Sequence, residues 1–289
     1  MRFWQSLSFT PTSDLVELAR AAEAAGFHGV LVADHVFHPQ EVRSRYPYSP
    51  DGRPYFDAAT EWPEPWVAIG AMAAVTRRLC FATGIYVLPL RHPLVAAKAV
   101  ATAAVLSQGR VALGVGAGWM REEFDTIGAP FEGRGNRLDE AIGVLRAVWK
   151  GGTVEHHGKH FDFAPLSMSP VPPGPIPIYV GGTTAAALRR AALLGDGWVG
   201  AGNAPEEVPG VLETLRRLRR EAGREREPFE SIVAVTAPPE PDLVRRLEDA
   251  GVTSLVSWPL SFTLGPDAPL AARRAALERY GNEVIARAG

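Results

Sequence analysis

The sequence predicts a (β/α)8, or TIM, barrel. Strand-like apolar runs alternate with helical patterns along almost all of its 289 residues, and alternating βα units imply a parallel sheet. Eight such runs fit one barrel of this length. A doubly wound sheet is the other architecture built from these units. The barrel is preferred because no change in composition splits the chain into halves, and no G-x-G-x-x-G follows the first strand.

Each element has a local reason. RFWQSLS (Arg2–Ser8) reads as the first strand. Pro11 and the cluster Thr12, Ser13, Asp14 then open a helix whose apolar positions Leu15, Leu18, Ala19 and Ala22 follow helical spacing, and Gly26 closes it. HGVLVAD (His28–Asp34) is nearly continuously apolar, as a strand covered on both faces must be. A helix is expected over about Trp62–Val75, a strand over Leu79–Leu88, a helix over about Leu94–Leu106 and a strand over Arg110–Gly116. Helices near Arg121–Ile127 and Asn136–Trp149 precede the fifth strand, Ile176–Gly182, and its helix, Thr184–Leu194. Strands Gly195–Gly200, Ser231–Thr236 and Gly251–Trp258 complete the eight. Helices are expected between them at Val208–Leu218 and Asp242–Ala250, and after them at about Leu270–Ile285. The whole chain, 1–289, is read as one domain with insertions at about 36–61 and 151–175. Both are longer than ordinary connections and so are candidates for function.

Net charge is −2. Nucleic-acid and membrane partners call for a basic surface excess, so neither is expected. The single cysteine, Cys80, excludes an internal disulfide and a cysteine-rich metal site. No run approaches a membrane span of about 20 apolar residues. The expectation is a cytoplasmic protein acting on a small molecule.

In a (β/α)8 barrel the chemistry lies at the C-terminal ends of the strands. Strand two ends in Asp34 and His35, with His38 just beyond. A histidine there is a general base, a proton donor, a ligand partner or a simple strand-end cap. Strand three ends in TGIYVLPLRHP (Thr83–Pro93). Gly84 inside a strand marks a bulge or a close backbone approach, and Arg91 reads as a solvated or helix-capping charge. Strand four ends with Gly114, Gly116 and Gly118 alternating, which suggests a ligand lying on backbone, and Trp119 then stands as a wall or a cover. Strand five runs through Gly181, Gly182 and Thr183 into a helix, which makes an anion site or an ordinary capped turn. HHGKH (His156–His160) matches no standard metal spacing and reads as a polar loop, so no metal is expected.

Taken in order, ADH, TGIYVLPLRHP, GRVALGVGAGWMREEFDTIG and IPIYVGGTTAAALRRAALLGDGW resemble the bacterial luciferase-like superfamily. More narrowly, they resemble its branch of probable coenzyme F420 (deazaflavin)-dependent oxidoreductases. The resemblance spans roughly Arg2 to Trp258. It implies a flavin-type ring at the strand ends, backed by a bulge with a non-prolyl cis peptide at Gly84–Ile85. By motif match, His35 lies near the reactive face, Gly116, Ala117 and Gly118 lie beside the ring, and Gly181, Gly182 and Thr183 bind phosphate. The sugar-phosphate dehydrogenases of the superfamily carry a glutamate where this chain has Trp119, and a tryptophan where it has Pro39. The resemblance therefore does not extend to glucose 6-phosphate.

The expected activity is hydride transfer between F420 and a small substrate with an activated C=C, C=N or C=O, with His35 handling the proton. Trp4, His38 and Tyr46 are candidate substrate-pocket residues. Arg43, Arg45 and Arg53 are candidates for the acidic tail of the deazaflavin. The alternatives are an FMN-dependent monooxygenase served by a partner flavin reductase, a non-catalytic flavin-binding protein, and an unrelated phosphate-binding aldolase or isomerase barrel. That last would use a strand-end lysine or paired carboxylates, for which Asp34 and Asp196 are the only acids in place. A homodimer is expected by analogy with the superfamily.

Overall fold

Nine short parallel strands close into one barrel. The protein is described by a computed structural model over residues 1–287. Around the ring run β1 (Arg2–Ser6), β2 (Gly29–Val32), β3 (Cys80–Thr83) with its continuation β4 (Tyr86–Val87), β5 (Val111–Gly116), β8 (Ile178–Gly181), β9 (Gly197–Asn203), β10 (Glu230–Val235) and β11 (Ser254–Ser257). Every neighbouring pair is parallel, and pairing of β11 with β1 closes the circle. Because β3 and β4 are one strand interrupted at Gly84 and Ile85, these nine segments occupy the eight barrel positions. The Gly84–Ile85 peptide is cis.

The interior is filled by one side chain from each of the eight positions, with the large rings of Trp4 and Tyr179 set against the small Ala82 and Ala112. Outside the strands, α1 (Leu15–Ala24), α2 (Pro65–Ala74), α3 (Pro93–Leu106), α5 (Arg134–Val148), α6 (Ala185–Leu194), α7 (Val208–Glu221), α8 (Pro241–Ala250) and α10 (Leu270–Glu283) cover the sheet. Their starts follow the expected chemistry. Glu64 accepts the Val67 amide at the head of α2, and Pro65 occupies its first turn. His92 and Pro93 do the same for α3. Two short helices, α4 (Arg121–Ile127) and α9 (Leu260–Leu264), lie outside this ring.

The insertion read at 151–175 contains an antiparallel hairpin that the sequence reading left as loop, β6 (Thr153–His157) with β7 (Asp162–Ser167). HHGKH supplies the last two residues of β6 and the turn Gly158–His160. Glu140 of α5 holds that turn by accepting from His156 Nε2 at 3.1 Å and from the Phe161 amide at 2.8 Å. Among the described residues no group of three or more His, Cys, Asp or Glu side chains is placed to hold a metal ion. No helix of the described residues is long and apolar enough to cross a membrane.

Candidate active site

The mouth is organised by the break in the third strand. A Cβ at Gly116 would strike the Ile85 side chain, and one at Gly181 would lie 2.6 Å from its Cγ2. A Cβ at Gly114 would land on the Thr83 carbonyl oxygen. The glycines of strand four, read from the sequence as a shelf for a ligand, are thus what the bulge itself requires. Gly118 has φ +84°, where a side chain would also meet Val87 and Phe124. Ile85 stands over two glycines as a low apolar platform that is only partly buried.

Strand two leads into Asp34 and His35. Asp34 is buried and accepts from Arg91 at 2.5 and 2.7 Å and from the Val87 amide at 2.9 Å. Arg91 is therefore no solvated charge. It ties the exit of the bulge to strand two and lies 4.3 Å from the centre of the Tyr86 ring, whose hydroxyl is pushed up to about 12 by burial. Next along the chain, His35 Nδ1 lies 3.1 Å from Glu123 Oε2, and Glu123 Oε1 accepts the Val36 amide at 2.7 Å. This contact occupies Nδ1 of the imidazole and leaves Nε2 as the nitrogen available for chemistry. Glu123 is 1 % exposed. The sequence reading missed it. Its only signal was a carboxylate pair, Glu122–Glu123, in the first turn of α4.

The other member of that pair secures the 36–61 insertion. Glu122 accepts from the Ser44 hydroxyl at 2.7 Å and from the Arg43 and Ser44 amides at 2.6 and 2.9 Å. Burial alone would raise the Glu122 carboxyl, but these donors outweigh it and hold it below its ordinary value. The clamp is thus complete above the usual glutamate pKa of about 4.3 and is lost as pH falls through the lowered value. In an NMR titration the Arg43 and Ser44 amide shifts should move together, with a midpoint under that of a free glutamate. Glu122→Gln should abolish the transition. Independent or absent transitions would refute the clamp.

The insertion brings Phe56 against His35, where Trp62 and Trp119 join it. Phe56 and Trp62 lie 4.8 and 4.9 Å from its ring, and Trp119 lies at 5.8 Å. Tyr46 packs on Trp119 at 5.1 Å, and burial among neighbouring tyrosines pushes its hydroxyl pKa up. His38 meets Phe56 edge-on at 5.9 Å. Trp4 is elsewhere, and its placement in a substrate pocket is corrected. It is 3 % exposed in the barrel interior, against Gly29 at the N-terminal end of β2 and 5.0 Å from His28. Arg43 pairs with the exposed Glu41, and Arg45 donates to the Pro50 carbonyl.

On the opposite rim, β8 ends at Gly181 and the chain turns through Gly182, φ +110°, into α6. The Trp198 indole N–H fixes this turn by donating to the Gly182 carbonyl at 2.8 Å, and Thr184 caps the helix by accepting the Ala187 amide. Thr183 and the first residues of α6 are exposed. First-turn amides have no partner inside a helix and carry its positive end. An apolar platform with such a terminus beside it fits a flat tricyclic ring bearing a phosphate.

A family profile described as luciferase-like monooxygenase matches residues 4–286. The chain belongs to this family. Among its relatives, an uncharacterized protein of Mycobacterium tuberculosis is 40% identical over 289 residues, 99% of this chain and 100% of the relative. An F420-dependent glucose-6-phosphate dehydrogenase of Nakamurella multipartita is 29% identical over 272 residues, 92% of this chain and 75% of the relative. Two solved structures share the fold of this luciferase-like chain. They are a monooxygenase from Streptomyces bottropensis (TM-score 0.79, 20% identity, 100% of both chains) and an F420-dependent secondary alcohol dehydrogenase in complex with an F420-acetone adduct (TM-score 0.78, 19% identity, 100% of this chain and 99% of that one). Family membership supports an oxidoreductase with an F420 or flavin-type cofactor.

Proposed function

We propose that this protein transfers hydride between F420 and a small organic acceptor with an activated C=C, C=N or C=O. The observation that carries the reading is the buried Glu123–His35 pair among aromatic rings at the strand ends. When bound, the deazaflavin would supply a ring carbon that gives or takes hydride. Ile85 would back the ring, the chain at Gly116, Ala117 and Gly118 would run along its edge, and Gly181, Gly182 and Thr183 would receive the phosphate. His35 Nε2 would deliver or accept the accompanying proton, while Glu123 keeps the imidazole in one tautomer and orientation. The aromatic rings would keep water from the reacting face.

The test is parallel titration of the protein with oxidised F420 and with FMN, followed by turnover with reduced F420. Tighter F420 binding is expected. His35→Ala should lower kcat about 10²–10⁴-fold with little change in cofactor affinity, and Glu123→Gln should lower it about 10-fold. Unchanged turnover in His35→Ala would remove that residue from the mechanism. The second reading is an FMN-dependent monooxygenase fed by a flavin reductase. It is favoured by the name of the family profile and by a neighbour of the same fold in complex with FMN. Preference for FMN and oxygen uptake would move the assignment there. Tight binding with no turnover would leave a flavin-binding protein.

We propose also that two copies pair through α2 and α3. Both helices expose apolar side chains, with Lys98 and Thr102 the only polar side chains on α3, and an apolar helix face is normally covered. Val67 is 74 % exposed on α2, and Val95 and Leu106 are 65 % and 63 % exposed on α3. A two-fold axis lets one such patch cover its own copy. Sedimentation should give a dimer that Val67→Glu with Leu106→Glu converts to a monomer. A monomeric wild type would refute the pairing.

A further inference from the structure

The rings above His35 form a box, and the box is already filled by a benzene ring. Phe56 is 8 % exposed. Trp62, Trp119 and Tyr46 meet it edge-on, with interplanar angles of 80°, 67° and 89° and centroids at 4.9, 6.5 and 6.3 Å. His35 forms the floor, tilted 43° to Phe56 at 4.8 Å. Rings in T-shaped contact around one central ring suit a flat aromatic guest. Phe56 is carried by the 36–61 insertion rather than by a barrel strand, so it can leave without breaking the sheet. Two polar atoms in this assembly, the Trp62 indole N–H and His38 Nδ1, are buried without a partner. A buried donor of that kind is stabilised by an oxygen acceptor. The carboxylate against His35, Glu123, is already engaged by the His35 ring and the Val36 amide.

We infer that the compartment above His35 is the acceptor-substrate site and takes a flat aryl carbonyl compound, such as an aryl ketone, aryl-conjugated enone or quinone, whose ring replaces Phe56. The carbonyl oxygen receives the Trp62 N–H. Phe56 is then a stand-in for the substrate in the free protein. It lowers the apparent affinity by the fraction of molecules in which it fills the box. The assignment of substrate role rests on the hydride-transfer reading above, whereas the binding chemistry does not.

The probe is 2,3-dimethyl-1,4-naphthoquinone, whose ring positions are blocked against addition of the Cys80 thiol. It would be titrated calorimetrically into the full-length protein without cofactor. Saturable one-site binding is expected to wild type, and at least about 10-fold tighter binding to Phe56→Ala, because no ring has to be expelled. Trp62→Phe keeps the wall and removes the donor, and it should weaken binding about 5–10-fold. Glucose 6-phosphate should neither bind nor compete. Circular dichroism and thermal melts of each variant separate lost binding from lost folding. If neither wild type nor folded Phe56→Ala binds the quinone, the site assignment is overturned, even where F420 binds and hydride transfer stands. If the quinone binds as expected and neither F420 nor FMN does, the aryl site stands and the redox reading fails. Equal affinity of wild type and Phe56→Ala would refute the stand-in role of Phe56.

Discussion

Gly114→Ala is expected to destabilise the protein by about 3 kcal/mol or more, although it adds one methyl group. The new Cβ would occupy the position of the Thr83 carbonyl oxygen. That oxygen belongs to backbone, so no change of rotamer relieves the clash. The two residues are also locked together. The Thr83 hydroxyl donates to the Gly114 carbonyl at 2.7 Å, and strands β3 and β5 pair immediately before them at Phe81–Val111 and Ala82–Ala112. The strand must therefore move as a unit or the barrel must open. Gly116→Ala provides the contrast. Its Cβ meets the far end of Ile85, a side chain that can turn, so a smaller loss and a displaced Ile85 are expected. Urea unfolding with unchanged m-value measures both. A Gly114→Ala midpoint equal to wild type would mean that the two strands do not approach as described.

Arg91→Ala is expected to lose about 3–5 kcal/mol, the range for breaking a buried ion pair from one side. The Asp34 side chain is 1 % exposed and that of Arg91 18 %. Burial works against the Arg91 charge, and the Asp34 carboxylate more than reverses this, raising the guanidinium pKa above its ordinary value. Without Arg91 the carboxylate keeps only the Val87 amide as a partner. The damage should reach function, because Asp34 precedes His35 and Val87 follows the Ile85 platform by two residues. High salt should not reproduce the loss, since a buried pair is poorly screened. Thermal melts of Arg91→Ala in low and high salt decide it. A small loss that salt mimics would mark the pair as a surface one.

Much of the barrel is legible because apolar periodicity reports burial directly. HGVLVAD and GRVALGVG are continuous apolar runs because helices and the barrel interior cover both faces of their strands. The hairpin in the second insertion was not legible. Its strands alternate exposed with partly buried residues, and HHGKH has the composition of a polar loop. Glu140, which accepts the Phe161 amide beside the turn, lies on another element. Trp4 was misplaced for a related reason. Alternation shows that a side chain faces inward, but not at which height in the barrel it lies.

Sequence alone determined the fold class and the strand ends at which chemistry must lie, and it put forward His35 and the turn Gly181–Thr183 as candidates. These are properties of one strand or one turn, and local pattern encodes them. Only the tertiary structure decided what the glycines of strand four are for, since the atoms that exclude a Cβ there come from strand three, about 30 residues earlier. It likewise paired Arg91 with Asp34 across 57 residues and Glu123 with His35 across 88. It also gathered His35, Tyr46, Trp62 and Trp119 around the Phe56 ring. Contacts between distant residues leave no periodic trace in a single sequence. They exist because barrel closure brings neighbouring strand ends to one face, where a charge or a ring must find its partner away from water.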